Sequence, residues 1–239
     1  MAVLRAVMAW ISVAVLSCLA LVGYLARPFN PDNNRLLGWV LARVGRYLLG
    51  MKRPLYGAEN MPKDRPTVVI ANHQQNDDLF VVGDLLPPRT VTVGKSALVW
   101  TPFFGQVFWL GGNIILNRGR SQKAVAVMQA TSDAINNQRK SIWIFPEGTR
   151  SRGRGLAKFK KGAFHTAIAA GAPITMVCAA EYHGKTRGLF GRREPVPVRI
   201  LPPVETRGLT SDDLPELMAR CHLQMSEAIA GLASASGTA

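Results

Sequence analysis

The chain has 239 residues, 48% of them hydrophobic, which is enough for a sizeable core and too apolar for a disordered tail. Its 29 Lys and Arg against 15 Asp and Glu leave a net charge of +14. Such an excess favours an anionic partner: nucleic acid, a phosphate-bearing small molecule or an anionic membrane face. Cys18, Cys178 and Cys221 are far apart and form no C-x-x-C, which argues against a disulfide scaffold or a zinc site.

Residues 6–26 carry no charge and are bracketed by Arg5 and Arg27. Roughly 20 apolar residues suffice to cross the hydrocarbon core as a helix. The apolar region of a cleaved signal would be shorter, about 7–15 residues. The segment therefore reads as a transmembrane helix that anchors the chain. Arg27, Arg35, Arg43, Arg46, Lys52 and Arg53 follow it closely, whereas only Arg5 precedes it. That bias predicts a body on the cytoplasmic side of the inner membrane. Residues 32–51 read as a second helix, with Leu36, Leu37, Val40, Leu41, Val44, Leu48 and Met51 at helical spacing among the arginines. A basic amphipathic helix beside an anchor suits the headgroup region, although an ordinary helix packed on the domain has the same pattern. The expected organisation is an anchoring segment, residues 1–53, and a main domain, residues 54–239.

Beyond Pro54, short apolar runs alternate with helical patterns. Strands are expected at 67–71, 91–93, 113–117, 141–145, 173–180 and 197–201. Between them, Ser121 is placed to cap a helix whose apolar positions Ala124, Val127, Met128, Thr131 and Ile135 share a face. Residues 162–171 form a short helix ended by Gly171, and Ser211 with Asp212 and Asp213 starts a final helix running to about Leu232. Strands alternating with helices indicate an α/β sheet with both faces covered.

Four clusters stand at the strand boundaries. In "NHQQNDD", residues 72–78, His73 and Asp78 are five apart. Neither a helix nor a strand brings residues at that spacing face to face, but a turn from strand to helix does. There Asp78 would accept a hydrogen bond from one imidazole nitrogen and leave the other free to take a proton. The plainer alternative is that the aspartates only favour a helix N-terminus. In "FPEGTRSRGRGLAKFKKG", residues 145–162, a strand runs into a loop with three arginines and three lysines and no acid after Glu147. Glycines there let the backbone approach a ligand, and guanidinium forks suit phosphate. "GGNIILNRGR", residues 111–120, again puts cations, Arg118 and Arg120, at a strand's end. In "GAPITMV", residues 171–177, Pro173 begins a strand.

Taken together and in this order, the four segments resemble the bacterial 1-acyl-sn-glycerol-3-phosphate acyltransferases of the glycerolipid acyltransferase family. N-H-x-x-x-x-D matches Asn72, His73 and Asp78; the glycine-to-arginine motif matches Gly112 to Arg118, with Asn117 in place of Asp; F-P-E-G-T-R-S is complete from Phe145 to Ser151; and the apolar-Pro motif matches Ala172, Pro173 and Ile174. The likeness covers roughly residues 54–204, with Gln75 and Asp77 as minor departures.

The resemblance implies a mixed α/β sheet flanked by helices and preceded by the membrane-anchoring segment. It implies transfer of a fatty acyl group to the sn-2 hydroxyl of lysophosphatidic acid, giving phosphatidic acid. The co-substrate would be acyl-CoA or acyl-carrier protein, with no bound cofactor or metal. By the same likeness His73 is the general base and Asp78 its orienting partner. Gly112, Arg118, Glu147, Gly148, Thr149 and Arg150 would bind the glycerol phosphate, and Pro173 would shape the acceptor site. Acyl chain length would depend on the depth of an apolar tunnel. Another lysophospholipid acceptor is one alternative, and a membrane-anchored module that binds an anionic ligand is another. Nucleic acid is not expected, because no recognised nucleic-acid motif with interleaved aromatics is present.

Overall fold

The structure is a computed structural model that describes residues 2–116, 131–183 and 195–236. Seven strands are described: β1 (Leu55–Tyr56), β2 (Val68–Ala71), β3 (Thr90–Lys95), β4 (Ile114–Leu116), β5 (Ser141–Ile144), β6 (Ile174–Ala179) and β7 (Val198–Ile200). They form one sheet in the order β1-β7-β6-β2-β5-β3-β4. Every neighbouring pair is parallel except β6 with β7. The sheet is therefore mixed, as expected. β2 is the fourth of the seven strands and it and β6 are buried along their whole length. Burial on both faces explains why these strands read as unbroken apolar runs rather than alternating ones.

Six labelled helices cover the sheet: α1 (Ala2–Ala26), α2 (Pro31–Leu49), α3 (Asp78–Val82), α4 (Phe104–Leu110), α5 (Gly162–Ala170) and α6 (Leu214–Ser236). Val69, Ala71, Trp143 and Val177 point to the face packed by α1 to α4. Val68, Ile70, Ile142, Ile174 and Met176 point to the face packed by α5 and α6. The central strands thus supply alternate residues to two cores.

The helix ends follow local chemistry. Asn30 caps α2 by accepting from the Asp32 amide, Pro31 stands at the first helical position, and Gly50 closes the helix in a left-handed conformation. Gly171 ends α5 in the same way. The final helix differs slightly from expectation. Its cap is Thr210, which forms a capping box with Asp213, and Ser211–Asp213 make a 3-10 turn before α6 begins. The helix expected from Ser121 lies outside the described residues up to 130, and residues 131–136 are helical.

α1 and α2 are packed on the sheet-bearing body. Ala9, Val13 and Tyr24 of α1, with Leu37, Leu41 and Leu49 of α2, belong to the same core cluster as Val69 and Phe80. α2 lies especially close to α3. A Cβ on Gly45 would sit 2.1 Å from the Phe80 ring, and one on Gly38 would sit 2.4 Å from the Gly83 carbonyl oxygen. The two missing side chains let α3 seat beneath α2, and the first residue of α3 is Asp78.

Candidate active site

β2 and β5 are adjacent and parallel, and the chain leaves them toward opposite faces. After β2 it enters α3, on the face of α1 and α2; after β5 it leads to α5, on the other. Such a divergence opens a crevice at the carboxyl ends of the strands, where ligands of α/β sheets bind. His73 follows β2 and the FPEGTR segment follows β5, so two of the four sequence clusters meet there.

The five-residue spacing resolves as a turn. His73 Nδ1 lies 2.5 Å from Asp78 Oδ2. The same oxygen accepts the backbone amides of Gln74 at 2.8 Å and Gln75 at 3.2 Å. The other oxygen, Oδ1, accepts the hydroxyl of Tyr182. Asp78 is 4% exposed, so this buried carboxylate has donors on both oxygens, as a buried charge requires. The imidazole ring stacks on Phe145, with centroids 4.1 Å apart and planes 19° from parallel. Nδ1 is committed to Asp78, and among the described residues Nε2 has no hydrogen-bond partner.

The turn is held from both neighbouring strands. Asn72 accepts from the Ala179 amide at 2.8 Å and donates to the Ala179 carbonyl at 2.9 Å. Gln74 donates to the Ala180 carbonyl at 2.8 Å and accepts from the Tyr182 amide at 3.0 Å. On the β5 side, the His73 and Gln74 carbonyls accept the amides of Ser151 and Arg152. Glu147 Oε1 accepts the His73 amide at 2.7 Å, and Oε2 accepts the Ala157 amide at 3.0 Å. Burial raises the Glu147 pKa above the ordinary carboxylate range, opposed by those two amides and by His73.

A cavity of about 1320 Å³ opens at this turn. Its polar end includes His73, Asn76, Arg150, Lys160 and Lys161, and its apolar lining includes Trp10 and Val13 of α1, Leu41 of α2, and Val107 and Phe108 of α4. Arg150 donates to the Asn76 side chain. Gly148 has φ +66°, and a Cβ there would lie 2.8 Å from Lys160 Nζ. The glycine thus satisfies a left-handed turn and leaves room for an ammonium group beside the crevice.

Four of the nine residues expected at the site line this cavity: His73, Asp78, Gly148 and Arg150. The others are placed differently. Glu147, expected to contact the acceptor, is 3% exposed and holds backbone instead. Thr149 is exposed and does not line the cavity. Gly112, also absent from the lining, makes a φ +70° turn between α4 and β4, packed near Phe29. Pro173 stands at the opposite end of the sheet. Its carbonyl accepts from Val68 at the start of β2, and His73 lies five residues further along, about 16 Å at the rise of a strand. It starts β6 and does not shape the crevice. Arg118 lies outside the described residues.

Several residues at the site had no motif to mark them. Tyr182, Lys95 and Lys160 come to the crevice by tertiary contact, whereas Asn76 lies within the His73–Asp78 turn itself. Only the basic run 150–161 gave a hint of Lys160.

A sequence model of the family described as Acyltransferase matches residues 52–179, more than half of the chain. The chain is 42% identical over 211 residues to the 1-acyl-sn-glycerol-3-phosphate acyltransferase of Salmonella typhimurium, covering 87% of this chain and 84% of that one. It is 40% identical over 208 residues to the protein of that name in Escherichia coli, with the same shares of 87% and 84%. To the human 1-acyl-sn-glycerol-3-phosphate acyltransferase alpha it is 35% identical over 215 residues, covering 88% and 75%. The fold matches the crystal structure of the 1-acyl-sn-glycerophosphate (LPA) acyltransferase of Thermotoga maritima, with a TM-score of 0.72 over 94% of this chain and 95% of that one, at 20% identity. The two motif segments that converge on the crevice lie inside the matched region, and the chain belongs to the 1-acyl-sn-glycerol-3-phosphate acyltransferase family.

Proposed function

We propose that the protein transfers a fatty acyl group to the sn-2 hydroxyl of lysophosphatidic acid, with His73 as general base. The observation that carries this reading is the pairing of His73 Nδ1 with buried Asp78, in a ring that lines a cavity both cationic and apolar. Nε2 accepts the hydroxyl proton, Asp78 stabilises the imidazolium that forms, and the alkoxide attacks the thioester carbonyl directly. The proton then leaves with the thiolate, so no acyl-enzyme is required.

Arg150 is proposed to hold the acceptor phosphate. Among the described residues its hydrogen-bond partner is Asn76, through Nη1 alone, which leaves the rest of the guanidinium fork for a phosphate. Lys160 and Lys161 add charge at the same end. The apolar length of the cavity takes the acyl chain. The donor is acyl-CoA or acyl-carrier protein, both of which carry phosphate toward the exposed Arg152, Arg154 and Lys158. Membrane association is supported by α1, a long apolar helix with an exposed apolar face. It would bring a lipid acceptor to the site, as a step of phospholipid synthesis requires.

The test is turnover of lysophosphatidic acid with each donor, with products separated by thin-layer chromatography. His73→Ala should lower kcat by about 10²–10⁴, the usual worth of general acid–base catalysis. Asp78→Asn should lose most activity, and the double variant should be scarcely worse than His73→Ala because the two act as a unit. Thermal unfolding of the same samples separates a chemical loss from a structural one. Turnover by His73→Ala near the wild-type rate would sink this mechanism.

A further inference from the structure

Tyr182 belongs to none of the four motif segments. It follows β6, is 2% exposed, and packs within the core cluster of α1 to α4. Its hydroxyl donates to Asp78 Oδ1, the oxygen that His73 does not use. Its backbone amide is held by Gln74, a residue next to His73 in the chain. The phenol is thus fixed at its backbone by the His73 turn and at its tip by the carboxylate of that turn.

We propose that Tyr182 is a positioning residue of the dyad: it locks the rotation of the Asp78 carboxylate and sets the basicity of His73 through it. The idea rests on His73 being the base. The gain is geometric first. A carboxylate can turn about its Cβ–Cγ bond, and a donor on Oδ1 keeps Oδ2 on Nδ1 of His73. The second effect is electrostatic and opposes the first in sign. A phenol donor draws part of the carboxylate charge to itself, so the imidazolium is held less tightly and His73 is a weaker base. Burial first, and Asp78 and Asp77 next, push the Tyr182 hydroxyl well above its ordinary pKa, so it remains a donor throughout the working pH range.

The charged and titratable groups around this pair come from each neighbouring element. Asp77 faces Tyr182 from the loop. Glu147 interacts with both His73 and Asp78 from the end of β5. Arg150 reaches the loop through Asn76, and His183 contacts Gln75. The amides of Gln74 and Gln75 donate to the other oxygen of Asp78, so replacing the phenol leaves those donors to the carboxylate in place.

The experiment compares wild type, Tyr182→Phe and protein carrying 3-fluorotyrosine at position 182, a stronger donor of nearly the same size. The readouts are kcat, KM for both substrates, the pH profile of kcat/KM, and Tm. Tyr182→Phe should lower kcat roughly ten- to a hundredfold, the worth of one hydrogen bond to a charged group, with each KM within about twofold. Its acid limb should move to higher pH, and that of the fluorinated protein to lower pH. A fluorinated protein with the wild-type profile overturns the proposal even where the Phe variant fails to fold. So does a Tyr182→Phe protein whose activity falls only with its Tm while the limb stays in place. His73→Ala is run alongside: if it keeps wild-type turnover, the base assignment itself fails, a result distinct from either outcome at Tyr182.

Discussion

Glu147 is a motif residue whose carboxylate is buried and holds backbone on both oxygens. One of its oxygens holds the backbone of His73 and the other holds the loop at Ala157. The carboxylate therefore joins the β2 turn to the basic loop and fixes His73 relative to that loop. Burial raises its pKa, so the folded state binds a proton more readily than the unfolded chain does. The sign follows: this group's contribution to stability is greatest below the ordinary carboxylate pKa of about 4.3 and falls as pH rises through the raised folded value. Glu147→Gln keeps the shape and removes the titration, but turns an amide NH2 against one of the two backbone donors. It should cost about 1–3 kcal/mol and lower kcat and Tm together. Its margin below wild type should be widest at the acid end of a pH series of unfolding curves. A margin that is flat with pH would show that the carboxylate does not titrate as argued. At this scale the His73–Asp78 contact was legible and the Glu147 clamp was not. Five residues separate His73 from Asp78, so a turn could be inferred, whereas Glu147 and His73 are 74 residues apart and Tyr182 and Asp78 are 104 apart. No local pattern encodes such pairings.

Strands and helices differ in what their sequences disclose. Of the expected strands, β2 to β7 are all present, and β2 and β6, buried along their whole length, read as continuous apolar runs. β1 has two residues, and α3 and α4 have five and seven, too short for a periodic signal. α2 is the instructive case. Its large apolar residues Leu36, Val40 and Val44 suggest one face, yet Leu36 is 65% exposed. The packed face runs through Asn34, Gly38, Ala42, Gly45 and Leu49 as well as Leu37 and Leu41. Small residues mark where α3 comes close, and hydrophobic periodicity is blind to them. Asn34 adds to the seam by donating to the Thr90 and Gly111 carbonyls, tying α2 to β3 and to the turn before β4. This close packing reaches the His73–Asp78 turn, because Phe80 lies against Gly45 and Asp78 begins the same short helix. Gly45→Val should force Phe80 away, destabilise by about 1–3 kcal/mol as overpacking does, and displace Asp78 from His73. We expect a lower Tm, and a kcat reduced even well below that Tm. Wild-type values of both would mean that α2 does not brace the dyad.

The way the whole molecule meets a membrane is set by how α1 and α2 lie together. With 25 residues α1 is about 37 Å long, more than the roughly 30 Å of a hydrocarbon core, so length alone permits a span. Packing restricts it. α1 runs back along α2: its Arg5 guanidinium is 3.2 Å from where a Cβ on Gly50 would sit, while Arg27 and Asn33 bond at the opposite end. Were α1 to cross the bilayer in this fold, α2 would cross with it. That would carry Arg43, Arg46 and the cluster of Arg46 and Arg53 on Asp84 into or through the hydrocarbon. An arginine or aspartate at the centre of a helix there costs about 2.5–3.5 kcal/mol even on insertion scales. The surface points to a different arrangement. On α1, Val3, Leu4, Val7, Ile11, Val15, Leu19, Val22 and Leu25 are between 48% and 73% exposed, while Ala9, Val13 and Tyr24 are buried against the domain. Phe29, Trp39, Trp100, Phe103 and Trp109 are exposed on neighbouring elements, and Phe29 and Trp109 touch edge to face. Aromatic residues around an apolar face suit the headgroup boundary. We therefore expect α1 to lie in one leaflet, with the cavity mouth at the lipid surface and the basic flank on the cytoplasmic side. The check is a pair of protease-cleavable tags, one before Ala2 and one after Ala239, in bacteria whose inner membrane is sealed and whose exterior is open to protease. Both tags should be protected until the membrane is permeabilised. Cleavage of the first tag alone would establish a span and require α1 to leave α2; cleavage of both would place the domain on the outer side and overturn the charge argument as well.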